Sequence, residues 1–557
     1  SQKICSGYRP MNKQITEYLL PKRIADVSQN VLNSATLLYE KSAQIALDET
    51  DVCIATGGFV LLDFGREISG GVRILCHKAG SGSTVVRIRF GESYGEANAE
   101  LGYMGACNDH SPRDFSATLV NYSDLTFGQT GFRFVRIDFP EGEAVKIKSV
   151  YAAFTHYGGE PIGDFACNDE LINKIYDTAR YTVMLNMQNG VIWDGIKRDR
   201  LVWVGDMYPE VKAILYTYGG EDCIKNSLRF AMQTNPQPGW ISRMPSYTIW
   251  FVIILHEYFF YTGDDAFLRE CVDYLRALGA LFDDRVDERG RLLFNDERQT
   301  GKPVFLDWQT ADLPETEQGV RALLRIAVRD GIALCEYLGI SAETYENVLS
   351  KLDESVTADT AYKQITALQI LSGECDAESG AEKLVLGGAN GMSTFMSGLI
   401  LSAVAKGRKM RAAQEILRRY YGGMLSRGAT SFWEDFDIDW LNGSGRIDEP
   451  TPQGLKDLHG DFGAYCYTGF RHSLCHGWAC GPVNFLTECV LGICVEEASC
   501  RKISVRPDLG DLTFARGSIA TPYGKVTVMA QKDENGKVNV HVDAPNCVEI
   551  LYGNIYG

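Results

Sequence analysis

The stretch Trp193-Asp194-Gly195-Ile196-Lys197-Arg198-Asp199-Arg200-Leu201-Val202-Trp203-Val204-Gly205-Asp206 puts three aspartates, three cations and two tryptophans into 14 residues. Carboxylates this dense need cations beside them, or some must stay protonated. Arg198 and Arg200 offer planar forks that hold a carboxylate through two parallel hydrogen bonds. A group that donates a proton to a glycosidic oxygen needs a raised pKa, which a dry pocket and a second carboxylate both supply. Each acid also has a structural reading. Asp206 fits as the N-cap of a helix through Tyr208-Pro209-Glu210, because proline is tolerated in a first turn, and Asp199 between two arginines fits a plain ion pair.

Downstream of this block the hydrophobic period is helical, over residues 166–497. Asn168-Asp169-Glu170 opens a helix with Asn168 as its expected N-cap. Amphipathic stretches follow at 210–217, 222–233, 246–262, 266–283, 315–337, 342–354, 360–373, 391–406, 409–421 and 476–494. With short connections, about twelve helices in pairs fit an α/α toroid of six hairpins with functional loops at one rim. The count alone does not separate a toroid from a helical solenoid. Upstream, residues 59–64, 72–76, 84–90 and 132–139 read as strands, the last two alternating apolar and polar, which suggests an antiparallel β-sandwich of jelly-roll type. Residues 524–530 and 537–542 flank the turn Asp533-Glu534-Asn535-Gly536 and read as a β-hairpin. The expected domains are therefore 1–160 (β-sandwich), 161–497 (helical toroid) and 498–557 (small β-sandwich).

All eight tryptophans lie between residues 193 and 478, and four touch a carboxylate in sequence: Trp193-Asp194, Asp307-Trp308, Trp433-Glu434 and Asp439-Trp440. An indole face stacks on the C–H face of a sugar ring, while a carboxyl group bonds hydroxyls or transfers protons at a glycosidic bond. Tryptophan is also a large core residue, so any single pair has a structural reading. Thr430-Ser431-Phe432-Trp433-Glu434-Asp435-Phe436-Asp437 follows a helix, which places Glu434 on a loop, where catalytic groups concentrate. Arg471-His472-Ser473-Leu474-Cys475-His476-Gly477-Trp478 is a third motif. His476 there is read as a satisfied buried histidine or a site residue. No GxSxG elbow supports a Ser/His/Asp hydrolase.

Composition sets the frame. A chain of 557 residues calls for two to four domains, and 45% hydrophobic with 23% charged residues is that of a globular protein. A net charge of −17 opposes a nucleic-acid partner and docking on an anionic membrane. No segment reaches the ~18 apolar residues of a membrane span. The 16 cysteines are scattered, form no CxxC pair and carry no zinc spacing, so no metal and no cofactor is expected. Such cysteines suit a reducing compartment, most simply the cytoplasm. The chain starts at Ser1 without an apolar signal core, and a removed leader is compatible with that start. A homodimer is compatible with the sequence.

These motifs resemble the α-L-rhamnosidases of glycoside hydrolase family 78. The likeness runs from Leu62-Asp63-Phe64-Gly65-Arg66-Glu67-Ile68-Ser69-Gly70 through 198–206 and Trp433-Glu434 to 473–482. It implies a toroid between β-sandwiches and hydrolysis of terminal α-L-rhamnose from a glycoside or oligosaccharide, with inversion and without a metal. Family members usually show Arg-Asp-Glu-Arg-x-Gly-Trp-x-Gly-Asp, the Glu being the general acid. Anchored on Trp203, Gly205 and Asp206, that position is Asp199. Anchored on Arg198, the Glu is missing. We take the first alignment, which keeps the Trp–Gly spacing. The shorter aspartate must then bring its backbone roughly an ångström closer, to lie within about 3 Å of the glycosidic oxygen. By the same likeness Glu434 is the general base, and Asp194 and Asp206 hold sugar hydroxyls. Trp203, Trp308, Trp433 and His476 line the site, and Arg198, Trp250, Asp307 and Trp478 complete the candidate substrate-binding set. Two other readings stay open at this level: another deoxy sugar or glycoside on the same fold, and a non-catalytic carbohydrate-binding protein.

Overall fold

The computed structural model describes residues 13–41, 51–107, 109–294, 304–352 and 359–553. The N-terminal reading at residues 1–5 and the end of the 342–354 helix, residues 353 and 354, lie outside them. The order along the chain is a β domain, a helical ring and a second β region.

Twelve helices in hairpin succession form the ring among the described residues: α1 Glu170–Asn186, α2 Met207–Thr217, α3 Asp222–Thr234, α4 Pro245–Thr262, α5 Val272–Asp284, α6 Thr316–Leu338, α7 Glu343–Lys351, α8 Lys363–Leu371, α9 Ala377–Leu384, α10 Ser397–Lys406, α11 Met410–Ser426 and α12 Gly481–Phe485. The even-numbered helices close on themselves: α2 packs on α4, α4 on α6, α6 on α8, α8 on α10, α10 on α12, and α12 on α2. The odd-numbered helices pack outside. Composition sorts the layers. α4 reads PSYTIWFVIILHEYFFYT and is buried nearly all round, as an inner helix must be, whereas α3 buries a single stripe. Pro245 in its first turn and Gly263, at φ 68°, bracket α4.

Four local expectations are corrected. The N-cap of α1 is Asp169, which accepts from the Leu171 and Ile172 amides, while Asn168 turns its carbonyl oxygen to the Thr513 amide at 2.9 Å. The 266–283 stretch breaks at Cys271 into Asp265–Glu270 and α5. The 391–406 stretch becomes helical only at Ser397. Residues 476–494 form a 3₁₀ turn, the short α12, a π turn and then a strand, Ile493–Glu497.

The N-terminal domain is a nine-stranded antiparallel sheet built on three long strands, Phe59–Ala79, Ser123–Asp138 and Val145–Tyr157. The stretches 59–64 and 72–76 belong to one strand. It continues because Gly70 (φ 149°) has no Cβ, which would otherwise sit 1.9 Å from the Ala153 carbonyl oxygen. Its core takes in Leu185, Ile196 and Cys475 from the helical domain. The C-terminal region has two small sheets. Asp164–Cys167, Phe514–Thr521, Gly524–Lys532 and Val538–Asp543 form one, and Ile493–Glu497, Lys502–Val505 and Glu549–Tyr552 the other. The first strand of the four precedes α1, so the last β region borrows sequence from before the helices. No helix among the described residues is long and apolar enough to cross a membrane.

Arg133 locks the N-terminal sheet to the ring. Its guanidinium grips both oxygens of Asp63 at 2.8 and 3.1 Å and donates to the Gly428 carbonyl at 3.1 Å, while Asp448 lies at 3.5 Å. Asp63 is 1% exposed. Without Arg133, the buried Asp63 would keep only the half-exposed Arg23, whose Nε donates to it at 2.8 Å. Arg133→Met, which leaves Arg23 on Asp63, is expected to cost about 1–3 kcal/mol, read as a lowered urea midpoint for the unfolding of the N-terminal domain.

Candidate active site

The loops that enter the inner helices gather at one rim. Residues 193–206 lead from the hairpin after α1 into α2, residues 427–480 lead from α11 into α12, and Met244 and Trp308 precede α4 and α6. Inner-helix N-termini therefore face the rim, where their positive ends favour negative charge. A cavity of about 300 Å³ opens there, lined by Asp194, Arg198, Asp199, Trp203, Asp206, Met244, Tyr247, Phe305, Trp308, Glu434, Cys466, Tyr467, His476 and Trp478.

Main-chain bonds weave three distant segments into its floor. Gly195 bridges to His476, and the Gly477 amide donates to the Asp194 carbonyl at 2.7 Å. The His476 amide donates to Phe432 at 3.0 Å, and the Glu434 amide to Ser473 at 3.0 Å. At Gly477 a Cβ would meet the Glu210 carboxylate at 1.9 Å and force that buried side chain to shift.

The acids are held differently. Asp194 turns both oxygens back on its own loop, accepting from the amides of Asp199 at 3.0 Å and Leu201 at 2.9 Å. Asp206 stands at the N-cap position of α2 but does not cap it. Its oxygens take the Tyr247 hydroxyl at 2.5 Å and His476 Nε2 at 3.1 Å. Glu434 accepts from the Ser473 amide at 3.2 Å, with Arg198 at 3.6 Å and His476 Nδ1 at 3.6 Å. Asp199 lies nearer the opening, its side chain 21% exposed, with Trp203 Nε1 at 3.1 Å and Arg198 at 3.3 Å. One guanidinium thus touches both Asp199 and Glu434. The lining also has apolar and aromatic members, Met244, Phe305, Trp308 and Tyr467; Trp308 Nε1 donates to the Tyr467 hydroxyl at 2.7 Å, and the Tyr467 ring lies 5.2 Å from the Arg198 guanidinium.

Burial dominates the electrostatics. It raises Asp194 to about 7, Asp206 to about 8 and Glu434 to about 7. Neighbouring carboxylates push Asp194 and Asp206 further up, and Arg198 and His476 restrain Glu434. Glu210, beneath the floor, is pushed well above its ordinary range by burial and has no hydrogen-bond partner on either oxygen.

Among the described residues, two buried clusters have the donor set of a cation site: Asp194 with Asp206 and His476, and Glu92 with Glu96 and His459. In the second, Lys197 Nζ sits 3.1 Å from Glu92 and 3.0 Å from Glu96 and supplies the positive charge itself. In the first, Tyr247 and His476 take up both Asp206 oxygens.

Of the twelve residues expected from sequence, nine line the cavity: Asp194, Arg198, Asp199, Trp203, Asp206, Trp308, Glu434, His476 and Trp478. Three do not. Trp250 is 1% exposed between Tyr208 and Phe395 in the inner ring. Trp433 is 1% exposed and packs edge-on against Phe436. Asp307 caps the turn before α6 by accepting from the Trp308 amide at 2.8 Å and from the Ser393 hydroxyl. Sequence reasoning missed Met244, Tyr247, Phe305, Cys466 and Tyr467 among the lining. The first two sit at a Pro-marked helix start, a position shared with Asp206 and readable once rim loops are located.

Residues 160–327 match the model of the bacterial alpha-L-rhamnosidase six-hairpin glycosidase domain. The likeness is to the α-L-rhamnosidases. An alpha-L-rhamnosidase of Formosa agariphila is 28% identical over a stretch covering 26% of this chain and 17% of that protein. The rhamnosidase of Bacillus sp. GL1, of family GH78, has the same fold, with a TM-score of 0.72 at 21% identity over 93% of this chain and 55% of that one. The rhamnosidase of Klebsiella oxytoca, solved with rhamnose bound, gives a TM-score of 0.66 at 20% identity over 86% of this chain and 96% of that one. The chain thus spans about half the length of the Bacillus rhamnosidase and a small part of the Formosa one. The expected architecture, a six-hairpin ring between β domains, is the one these rhamnosidases share.

The raised acids carry a stability consequence. Folding raises Glu434 from 4.5 to about 7, so its burial is cost-free below pH 4.5 and the penalty grows as pH rises through 7. Glu434→Gln removes that penalty. It is expected to unfold later than the parent at pH 8, by up to about 3 kcal/mol, and to show no such gain at pH 4, in denaturant titrations at both pH values.

Proposed function

We propose that the protein is an inverting glycoside hydrolase that removes terminal α-L-rhamnose, with Asp199 as general acid and Glu434 as general base. The observation that carries this reading is the convergence of two carboxyl groups, 235 positions apart in sequence, on one cavity through Arg198. A cavity of about 300 Å³ is at the small end for ligand sites and suits a single terminal sugar ring. The two Arg198 contacts keep the facing oxygens of Asp199 and Glu434 within about 9 Å, a ceiling that admits the ~6.5–9.5 Å an inverting pair needs to seat its water. Polar and apolar walls suit a deoxy sugar: each oxygen of Asp194 and Asp206 has a second lone pair beside the bond it already accepts, which takes a ring hydroxyl, while Trp308, Phe305 and Met244 face the ring and its methyl group.

In this reading the Asp199 proton passes to the glycosidic oxygen as the C–O bond breaks. Glu434 takes a proton from water as its oxygen bonds to the anomeric carbon from the other face. Arg198 hydrogen-bonds Asp199, pairs with Glu434 at 3.6 Å, and so keeps the two acids apart and oriented. Glu434 works as a base only when ionised, and burial sets that change near 7. The pH dependence of kcat/KM on an aryl α-L-rhamnoside is therefore expected to rise through about pH 7. Asp199→Asn and Glu434→Gln should each lose about 10²–10⁴-fold in kcat. Equal or faster hydrolysis of other aryl glycosides in the same panel would shift the substrate away from rhamnose. Binding of rhamnose unaltered in both variants, with no turnover by the parent, would leave a sugar-binding protein.

A further inference from the structure

Asp199 has a partner from another domain. His110, on the loop after the 3₁₀ turn Tyr103–Gly105 in the N-terminal domain, brings Nε2 to 2.9 Å from Asp199 Oδ1. The loop is pinned to the site: the Ser111 hydroxyl bonds Thr130 at 2.7 Å and the Lys197 carbonyl at 3.1 Å, and buried Arg113 donates to carbonyls of Phe90, Glu96 and Ala99. Around His110 stand Asp109 at 3.2 Å, itself gripped by Arg471 at 3.1 and 3.2 Å, and Arg198 on the same Asp199 oxygen. His110 does not line the sugar cavity, and its side chain is 26% exposed. It therefore meets the acid from outside the cavity lining, with its side chain partly open to water.

That placement answers a requirement of the proposed reaction, on which this inference rests. Each inverting turnover ends with Asp199 one proton short and Glu434 one proton over. Glu434 is buried at the floor, so the proton returns through solvent. Asp199 must be reloaded in place, where Trp203 and Arg198 both donate to it. The geometry points to His110 as a positioning residue that reloads Asp199: it takes a proton from water on one ring nitrogen and passes one to the Asp199 carboxylate from Nε2. Histidine suits this because both ring nitrogens exchange protons in turn. Proton balance closes, since the proton Glu434 releases to water equals the one His110 takes up.

The test compares two leaving groups. An alkyl α-L-rhamnoside needs its leaving oxygen protonated, whereas 2,4-dinitrophenyl α-L-rhamnoside does not. Asp199→Asn should slow the alkyl substrate far more than the activated one. Failure of that comparison would remove Asp199 as the acid and, with it, the basis of the proposal. Given that pattern for Asp199, His110→Ala is expected to lower kcat on the alkyl substrate at least tenfold, with KM within about threefold. Its dinitrophenyl activity should stay near that of the parent, and added imidazole should restore part of the loss. His110→Gln, which keeps a hydrogen-bond donor but cannot relay a proton, should show the same selectivity. Equal slowing of both substrates by His110→Ala, or full activity of His110→Gln on the alkyl substrate, would overturn the relay.

Discussion

One buried carboxylate joins the parts of the site. Glu92, at the end of strand Ser83–Gly91 in the N-terminal sheet, takes Lys197 Nζ at 3.1 Å, the Leu474 amide at 2.9 Å and the Ser473 hydroxyl at 3.4 Å. Lys197 is two residues before Asp199, and the Ser473 amide bonds Glu434. A single side chain of the β domain therefore fixes the loops that carry both acids. Glu96 and the carbonyls of Phe470 and His472 complete the shell around the ammonium, so the charge is paired and bonded as burial demands. The active geometry belongs to the junction of sheet and ring, and the ring alone lacks the clamp that sets it.

The cost of this site is visible in its acids. Asp194, Asp206, Glu210 and Glu434 crowd one buried volume, and desolvation leads the causes of every shift among them. Inner-helix N-termini and the single guanidinium of Arg198 offset only part of that. In the proposed reaction the same burial poises Glu434 near neutrality, so function and marginal stability would share residues.

Much of this was legible in sequence because charge density is a local property. Asp194, Arg198, Asp199, Trp203 and Asp206 fall in one short run, and Glu434 and His476 each stand in a motif of their own. The same logic failed where an aromatic residue had no polar duty: Trp250 and Trp433 fill core volume, and nothing local separates a core indole from a rim indole. Asp307 failed differently, since capping a turn uses the same carboxylate as binding a hydroxyl. Tyr247, Tyr467 and His110 reach the site only through tertiary packing, and His110 comes from a different domain. The helical ring was readable from its period, whereas strand Asp164–Cys167 was not, because four residues carry no period and its partners lie some 350 positions away.

The proposed reaction requires attack by a water molecule, activated by Glu434, on the face of the sugar opposite Asp199. Proton NMR of the first rhamnose released from an α-L-rhamnoside, recorded before mutarotation, tests this directly. The β anomer should appear first. Initial release of the α anomer would contradict the inverting assignment and require one of the two carboxyl groups to attack the sugar itself.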